Sequence, residues 1–486
     1  HSYSWSPDSR RIAYIETSNV NPDYVNFQDG NPVGPGTVCM YDLKSGVSTM
    51  LTSQKFPETT ELKWSRDSRR VAYIARDPST IDSKLYSRYL AHYIFVIDTK
   101  GGSVSRIAER TDFFLGGENL TWSADNSEIW FGNGNRTNFD IFAVNVKSGI
   151  TRILSGSNGV VGQLTFDKDF RTAAYIYSNA NLKSDIRILD IRNGKEMQIT
   201  DLNPWVRDMD NERGEVITYK SDGWDIDALL IKPPHFDPNR KYPLLLVVHG
   251  GPNWYKLNEW VPDWEQYPIK ALAAQDIVLV FPNFRGSANY GPEFRQAAHL
   301  DIGGCDYKDA MGAVDLLLGK GFIDEKNMGV CGWSYGGYLT PSIITQTDRF
   351  KAAQFGAGLP SVEAMYSSLW TVERILTHNL EGRPWEDGTR SIKYSPLYHT
   401  DKVVTPTLIQ HGEYDPRCPV GEAVLFYKAL KSYGVPSVLE IYPKMGHSIT
   451  DGKLYRRAVT RNLEWFCKWL KDDTTTSFER IFPKNQ

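Results

Sequence analysis

The chain predicts two domains of different class: a β-repeat domain of propeller type over residues 1–205, then a doubly wound, mostly parallel α/β domain over 206–486. A turn-and-strand phrase recurs in the first 200 residues. Near residues 201–212 the pattern changes to apolar strands alternating with helical periodicity, which builds a parallel sheet with helices packed on it. At 486 residues the chain is long enough for two cores.

The first phrase is Trp5-Ser6-Pro7-Asp8 before Arg11-Ile12-Ala13-Tyr14-Ile15. It returns as Trp64-Ser65-Arg66-Asp67 before Val71 to Ile74, as Trp122-Ser123-Ala124-Asp125 before Ile129 to Phe131, and more loosely as Phe166-Asp167-Lys168-Asp169 before Ala173 to Ile176. Each leads to a second strand and a polar turn, as in Val38 to Asp42 followed by Lys44-Ser45-Gly46. A repeat of roughly 40–60 residues is the mark of propeller blades, small antiparallel sheets that need their neighbours to bury both faces. Four phrases leave the blade count open, so the propeller is read as whole or truncated.

Composition narrows the function. With 41 % hydrophobic and 23 % charged residues the chain lies in the globular range, not the disordered one. Its formal charge of -3 offers no field to gather phosphate backbones, so no nucleic-acid partner is expected. The apolar stretches are much shorter than the ~20 residues of a membrane-spanning helix, so no membrane partner is expected either. Five cysteines without metal-type spacing argue against a disulfide framework or a metal site and mildly favour a cytoplasmic location. No cofactor is expected, and whether the chain forms a homo-oligomer is left open.

In the second domain, Leu244 to Val248, Ile277 to Phe281, Met328 to Gly332, Thr407 to Gln410 and Val438 to Tyr442 read as strands. Helices are expected around 307–319, 421–433 and 455–470. Gly332-Trp333-Ser334-Tyr335-Gly336 follows an apolar strand and opens a helix, the strand-turn-helix setting that lifts a serine hydroxyl above a sheet edge. Ser334 is therefore the candidate nucleophile. In α/β-hydrolase domains the partners follow in the order serine, acid, histidine. His447, in Gly446-His447-Ser448 before the final helix, is the candidate base. His378, His399 and His411 read as packing or surface histidines.

Asp415, in the loop after Thr407 to Gln410, is the candidate acid that fixes the imidazole tautomer, with Glu413 as its rival. His249-Gly250-Gly251-Pro252 follows Leu244 to Val248 as a glycine turn, so the Gly251 and Tyr335 N–H groups are candidates for the oxyanion hole. Trp254, Tyr255, Trp333 and Tyr338 are candidate pocket residues, with Trp370 and Trp385 beside them. Core packing is an equal reading for each. Arg285 is read as a loop-positioning group.

Taken together, these motifs resemble the prolyl oligopeptidase family of serine peptidases, most closely its acylaminoacyl-peptidase branch. The matching phrases are Lys241-Tyr242-Pro243 leading to His249-Gly250-Gly251-Pro252, Asn283-Phe284-Arg285-Gly286-Ser287, Gly332 to Tyr338, Pro384-Trp385-Glu386, Ser395-Pro396, His411 to Asp415, and Gly446-His447. The resemblance covers nearly the whole chain and is strong over 212–470. It implies a propeller that caps an α/β-hydrolase domain, and a serine hydrolase that cleaves short or acylated peptides through an acyl-enzyme. An esterase, lactonase or acyltransferase using the same triad is the alternative, since fold alone does not choose the substrate.

The chain also departs from that family. Relatives usually carry seven blades, and tend to have valine where Cys418 stands. Cys331 lies three residues before the nucleophile, and Gly358-Leu359-Pro360 replaces a more polar loop. No Glu-Glu pair occurs in the first 200 residues, which weakens a dipeptidyl-peptidase reading.

Overall fold

The computed structural model describes residues 3–17, 36–52, 59–77, 92–107, 118–155, 158–208, 213–260, 266–366, 385–386 and 388–476. It separates into two compact units, His1–Pro204 with Ala288–Glu293, and Trp205–Ser287 with Phe294–Gln486.

The first unit is built from four successive four-stranded antiparallel sheets: strands between Tyr3 and Met50, between Thr60 and Arg106, between Glu118 and Ile153, and between Val160 and Gln198. A single parallel pairing, Phe139 with Val160, links the last two. The recurring phrase has one geometry. Ser6, Ser65 and Ser123 each donate a backbone N–H to the carbonyl of the residue five places on and accept that residue's N–H at Oγ, and their hydroxyls donate to Asp8, Asp67 and Asp125 at 2.6, 2.6 and 2.7 Å. In the looser fourth phrase Asp167 takes the serine's place, and its carboxylate accepts from the Thr172 N–H at 3.0 Å. Such short polar side chains close a turn on their own backbone.

The phrase's tryptophan joins one sheet to the sheet before it. Trp64 Nε1 donates to Ser4 O at 2.9 Å, and Trp122 Nε1 to Lys63 O at 3.0 Å. Arg11 and Arg70 lie over these two rings at 5.0 and 4.8 Å, within cation–π range. Neighbouring sheets share apolar cores: Ile15, Val38, Leu62 and Tyr73 between the first two, and Ile74, Ile94, Leu120 and Phe131 between the next two.

The second unit is one eight-stranded mixed sheet. In chain order its strands are β1 (Arg213–Ser221), β2 (Trp224–Lys232), β3 (Tyr242–Val248), β4 (Val278–Pro282), β5 (Ile323–Trp333), β6 (Ala352–Gly356), β7 (Thr407–Gly412) and β8 (Ser437–Tyr442). Spatially they run β1-β2-β4-β3-β5-β6-β7-β8. The β1–β2 and β2–β4 pairs are antiparallel and every other pair is parallel. Central strands buried on both faces read as unbroken apolar runs, and Leu244 to Val248 are at most 4 % exposed.

The helices that matter for the site are α1 (Cys305–Gly319), α2 (Tyr335–Ile344), α3 (Val420–Ser432) and α4 (Gly452–Lys471). In α4, Asp451 caps the first turn by accepting from the Lys453 and Leu454 N–H groups, and Ala458, Asn462, Phe466 and Leu470 bury one stripe at four-residue spacing. Arg285 is buried in a bidentate pair with Asp309, at 2.8 Å, and ties the loop after β4 to α1. All five cysteines are buried and none forms a disulfide. Among the described residues, no helix is long and apolar enough to cross a membrane.

Candidate active site

Ser334 sits between β5 and α2, Asp415 in the loop after β7, and His447 in the loop between β8 and α4. All three therefore lie beyond the carboxyl ends of parallel strands, where open α/β sheets gather their ligands. Residues 81 and 32 positions apart in the chain meet there. His447 Nε2 is 2.9 Å from Ser334 Oγ, and His447 Nδ1 is 2.8 Å from Asp415 Oδ2.

The elbow is strained. Ser334 has φ 62° and ψ −117°, a region a side-chain-bearing residue rarely adopts, and its N–H is held by Gly356 O at 3.0 Å. A side chain at Gly336 would collide with Val248 O, so only glycine lets the start of α2 press against β3. Trp333, the residue before Ser334, is buried and its indole donates to His447 O at 2.9 Å. One residue thus braces the loop that carries His447.

Asp415, and not Glu413, faces the imidazole, and local hydrogen bonding sets its orientation. Its Oδ1 accepts from the Arg417 and Cys418 N–H groups at 2.8 and 3.0 Å, an Asx-type turn that aims Oδ2 at the imidazole. Burial alone would push this carboxyl up, but the His447 contact and the Cys418 N–H outweigh it and hold it below its ordinary value. Glu413 is exposed and accepts from the Lys444 N–H at 2.8 Å instead. His411 is buried, with Nε2 2.7 Å from Cys418 O, and burial pushes it down. His378 and Trp370 lie outside the described residues.

Gly251 has φ +126°, and a side chain there would strike the backbone nitrogens of Asn253 and Trp254. Behind it His249 is wholly buried, 2.8 Å from Gly250 O and 2.9 Å from Ser287 Oγ, and burial pushes it down to about 3. That ring is a neutral prop for the glycine turn. The Tyr335 hydroxyl donates to Asp306 Oδ2 at 2.7 Å, and burial pushes the Asp306 carboxyl up to about 7.

Of the expected pocket residues, Trp254 is 37 % exposed and stacks on Tyr255 with ring centres 5.9 Å apart. Tyr338 is buried and donates to Tyr394 O at 2.9 Å. Trp385 is exposed and meets Tyr366 edge to face. Tyr335, Tyr338, Leu359 and Cys418, all named from the sequence, pack in one apolar group on the elbow side with Ile302 and Val362, which the sequence did not single out. Such an arrangement can draw a proton from a hydroxyl and return it to a leaving group, the chemistry of acyl transfer.

Residues 263–473 match the family described as the prolyl oligopeptidase family. Dipeptidyl-peptidase 5 of Porphyromonas gingivalis is 25% identical over 483 residues, covering 96% of this chain and 67% of that protein. The acylamino-acid-releasing enzyme of Rattus norvegicus is 27% identical, covering 68% of this chain and 47% of its own. The puromycin-hydrolyzing peptidase of Mycobacterium tuberculosis shares the fold, with a TM-score of 0.70 at 19% identity over 96% of this chain and 69% of that one. The chain spans between about half and two thirds of the length of the curated relatives it matches. The residues that match the prolyl oligopeptidase family, 263–473, contain Ser334, Asp415 and His447.

Proposed function

We propose that this chain is a serine peptidase that cleaves short or acylated peptides through an acyl-enzyme. The observation that carries the reading is the 2.9 Å and 2.8 Å pair of contacts running from Ser334 through His447 to Asp415. Ser334 Oγ attacks the scissile carbonyl as His447 Nε2 takes its proton. Asp415 holds Nδ1–H and stabilises the imidazolium. The tetrahedral oxyanion is met by the Gly251 and Tyr335 N–H groups, the latter at the first turn of α2, where the helix dipole favours negative charge. His447 then returns the proton to the leaving amine, and water repeats the sequence to release the acid.

The names of the relatives, dipeptidyl-peptidase and acylamino-acid-releasing enzyme, support a substrate with few residues on the acyl side. Leu359, Val362, Tyr335 and the buried Cys418 favour an apolar residue at the cleaved bond. The test is a panel of acetyl-amino-acid, dipeptidyl and longer peptidyl anilides set against aryl esters and lactones. Turnover of the anilides that is lost in Ser334→Ala supports the peptidase. Fast ester turnover with no anilide turnover replaces it with the esterase reading.

The four-sheet unit is, on this reading, a run of propeller blades, with the domain boundary near residue 205. The inter-sheet tryptophan contacts support that assignment. Five buried cysteines, none in a disulfide, fit a reducing compartment such as the cytoplasm.

A further inference from the structure

Cys418 adds a thiol to the acid–base pair. Its Sγ, a carboxylate oxygen of Asp415 and an imidazole nitrogen of His447 all lie within 4.8 Å of one another. Sulfur, nitrogen and oxygen donors in one small group are the ligand set of zinc, which binds them at about 2.0–2.3 Å. Two donors on one tetrahedral zinc stand roughly 3.3–3.8 Å apart, so this cluster closes on an ion with shifts of about 1 Å. Asp415 and Cys418 are on one short turn fixed by their own backbone, and His447 comes from a loop with its ring partly exposed, so the set has one movable member. The mutual placement is unusual because the third donor is not needed for acyl transfer: Cys418 takes no part in the serine-to-carboxylate relay.

We propose that Asp415, Cys418 and His447 form an inhibitory site for a thiophilic divalent cation of the zinc class, with the fourth position open to water. The proposal rests on the triad reading for its effect on turnover, but not for binding. The proton balance explains the inhibition. In the active state Nδ1 bears the imidazole proton and Nε2 is free to accept from Ser334. When the ion takes Nδ1, that proton moves to Nε2, the thiol proton leaves to solvent, and the Asp415 carboxylate turns from the imidazole to the metal. Nε2–H then faces Ser334 Oγ as a donor, and the base is lost. Hard cations such as Mg²⁺, which prefer all-oxygen shells, are not held.

Two titrations of the whole chain test this. In the first, Zn²⁺ is added during anilide hydrolysis by the wild type, Cys418→Val and Cys418→Ser, with Mg²⁺ as control. The serine variant keeps the size of the side chain and guards against misfolding in the valine variant. Chelator-reversible inhibition by Zn²⁺ but not Mg²⁺ is expected. The inhibiting concentration should rise on the order of 100-fold in both variants, since even groups that only orient a ligand are worth 10–100-fold in metal affinity. In the second, Co²⁺ is added to the catalytically silent Ser334→Ala chain, and a thiolate-to-cobalt charge-transfer absorption is expected that vanishes when Cys418→Val is added. This readout needs no turnover, so a chain that proves not to be a peptidase still answers the metal question. Equal zinc sensitivity in wild type and Cys418→Val, or no Cys418-dependent cobalt absorption, overturns the proposal.

Discussion

Serine hydroxyls are paired with carboxylates in both units, directly in one and through an imidazole in the other. In the repeats, Ser6, Ser65 and Ser123 donate directly to an aspartate two residues on, at 2.6 to 2.7 Å, and the hydroxyl oxygen takes a backbone N–H as well. Those oxygens are fully engaged in closing a turn. In the α/β unit an imidazole stands between Ser334 and Asp415, the backbone at Ser334 is strained, and the three residues come from loops after three different strands. Nearness of hydroxyl and carboxylate is thus a structural motif when it is local and repeated. On the proposed function it becomes a catalytic one when a base is inserted and the sheet edge enforces the meeting.

The sharpest way to break this contrast is to remove one carboxylate oxygen in each unit. Asp415→Asn should lower kcat by about 10⁴ through the wrong imidazole tautomer. Asp67→Asn should leave kcat for the best anilide within twofold and cost about 1 kcal/mol of unfolding free energy, the net worth of a hydrogen bond. Steady-state kinetics beside denaturant unfolding separates the two, and similar losses of kcat in both variants would erase the distinction.

A second test uses the burial of Asp306, whose carboxyl is pushed up from its ordinary value of 3.8 to about 7 chiefly by desolvation. The folded chain then holds a proton that the unfolded chain has released, so this group's contribution to stability falls as pH rises from about 4 to 7 and is level above that. Asp306→Asn cannot lose that proton. Its stability relative to wild type should improve by a few kcal/mol, at about 1.4 kcal/mol per unit, between pH 4 and 7. Parallel unfolding curves at pH 4, 5.5 and 7 check the sign, and a constant difference across that window would contradict it.

Trp333→Phe keeps a ring before the nucleophile but removes the hydrogen bond to His447 O. A fall in kcat of up to about tenfold is expected, with KM little changed, since about 0.5–1.5 kcal/mol of positioning is lost. The smallest effect compares two tryptophans of the repeat. Trp122→Phe should cost about 1 kcal/mol by losing its bond to Lys63 O. Trp5, at the equivalent place in the first phrase but 54 % exposed, should tolerate phenylalanine within about 0.5 kcal/mol. Equal losses would show that the tryptophan serves its own sheet and not the preceding one.

These contrasts also mark what the residues alone disclosed. The strands around the candidate site, and the places of Ser334 and His447 beyond two of them, follow from local signals: glycines at a strand-to-helix turn, unbroken apolar runs, and a histidine ahead of the last amphipathic helix. Asp415 was named ahead of Glu413, but what turns it toward His447 is not local in that way: its other oxygen captures the Arg417 and Cys418 N–H groups, a matter of loop closure. The Trp333 brace was illegible for a similar reason: its acceptor lies 114 residues away. The α4 start at Gly452 precedes the expected 455 because Asp451 caps the turn before it, accepting from the Lys453 and Leu454 N–H groups.

The activation of Ser334 by His447 is tested most directly by labelling with a fluorophosphonate probe, located by peptide mass spectrometry. One equivalent on the peptide bearing Ser334, reduced at least 10³-fold in rate by His447→Ala, is the expected result for a hydroxyl that depends on its general base. Label on another residue, or an undiminished rate in His447→Ala, would contradict it.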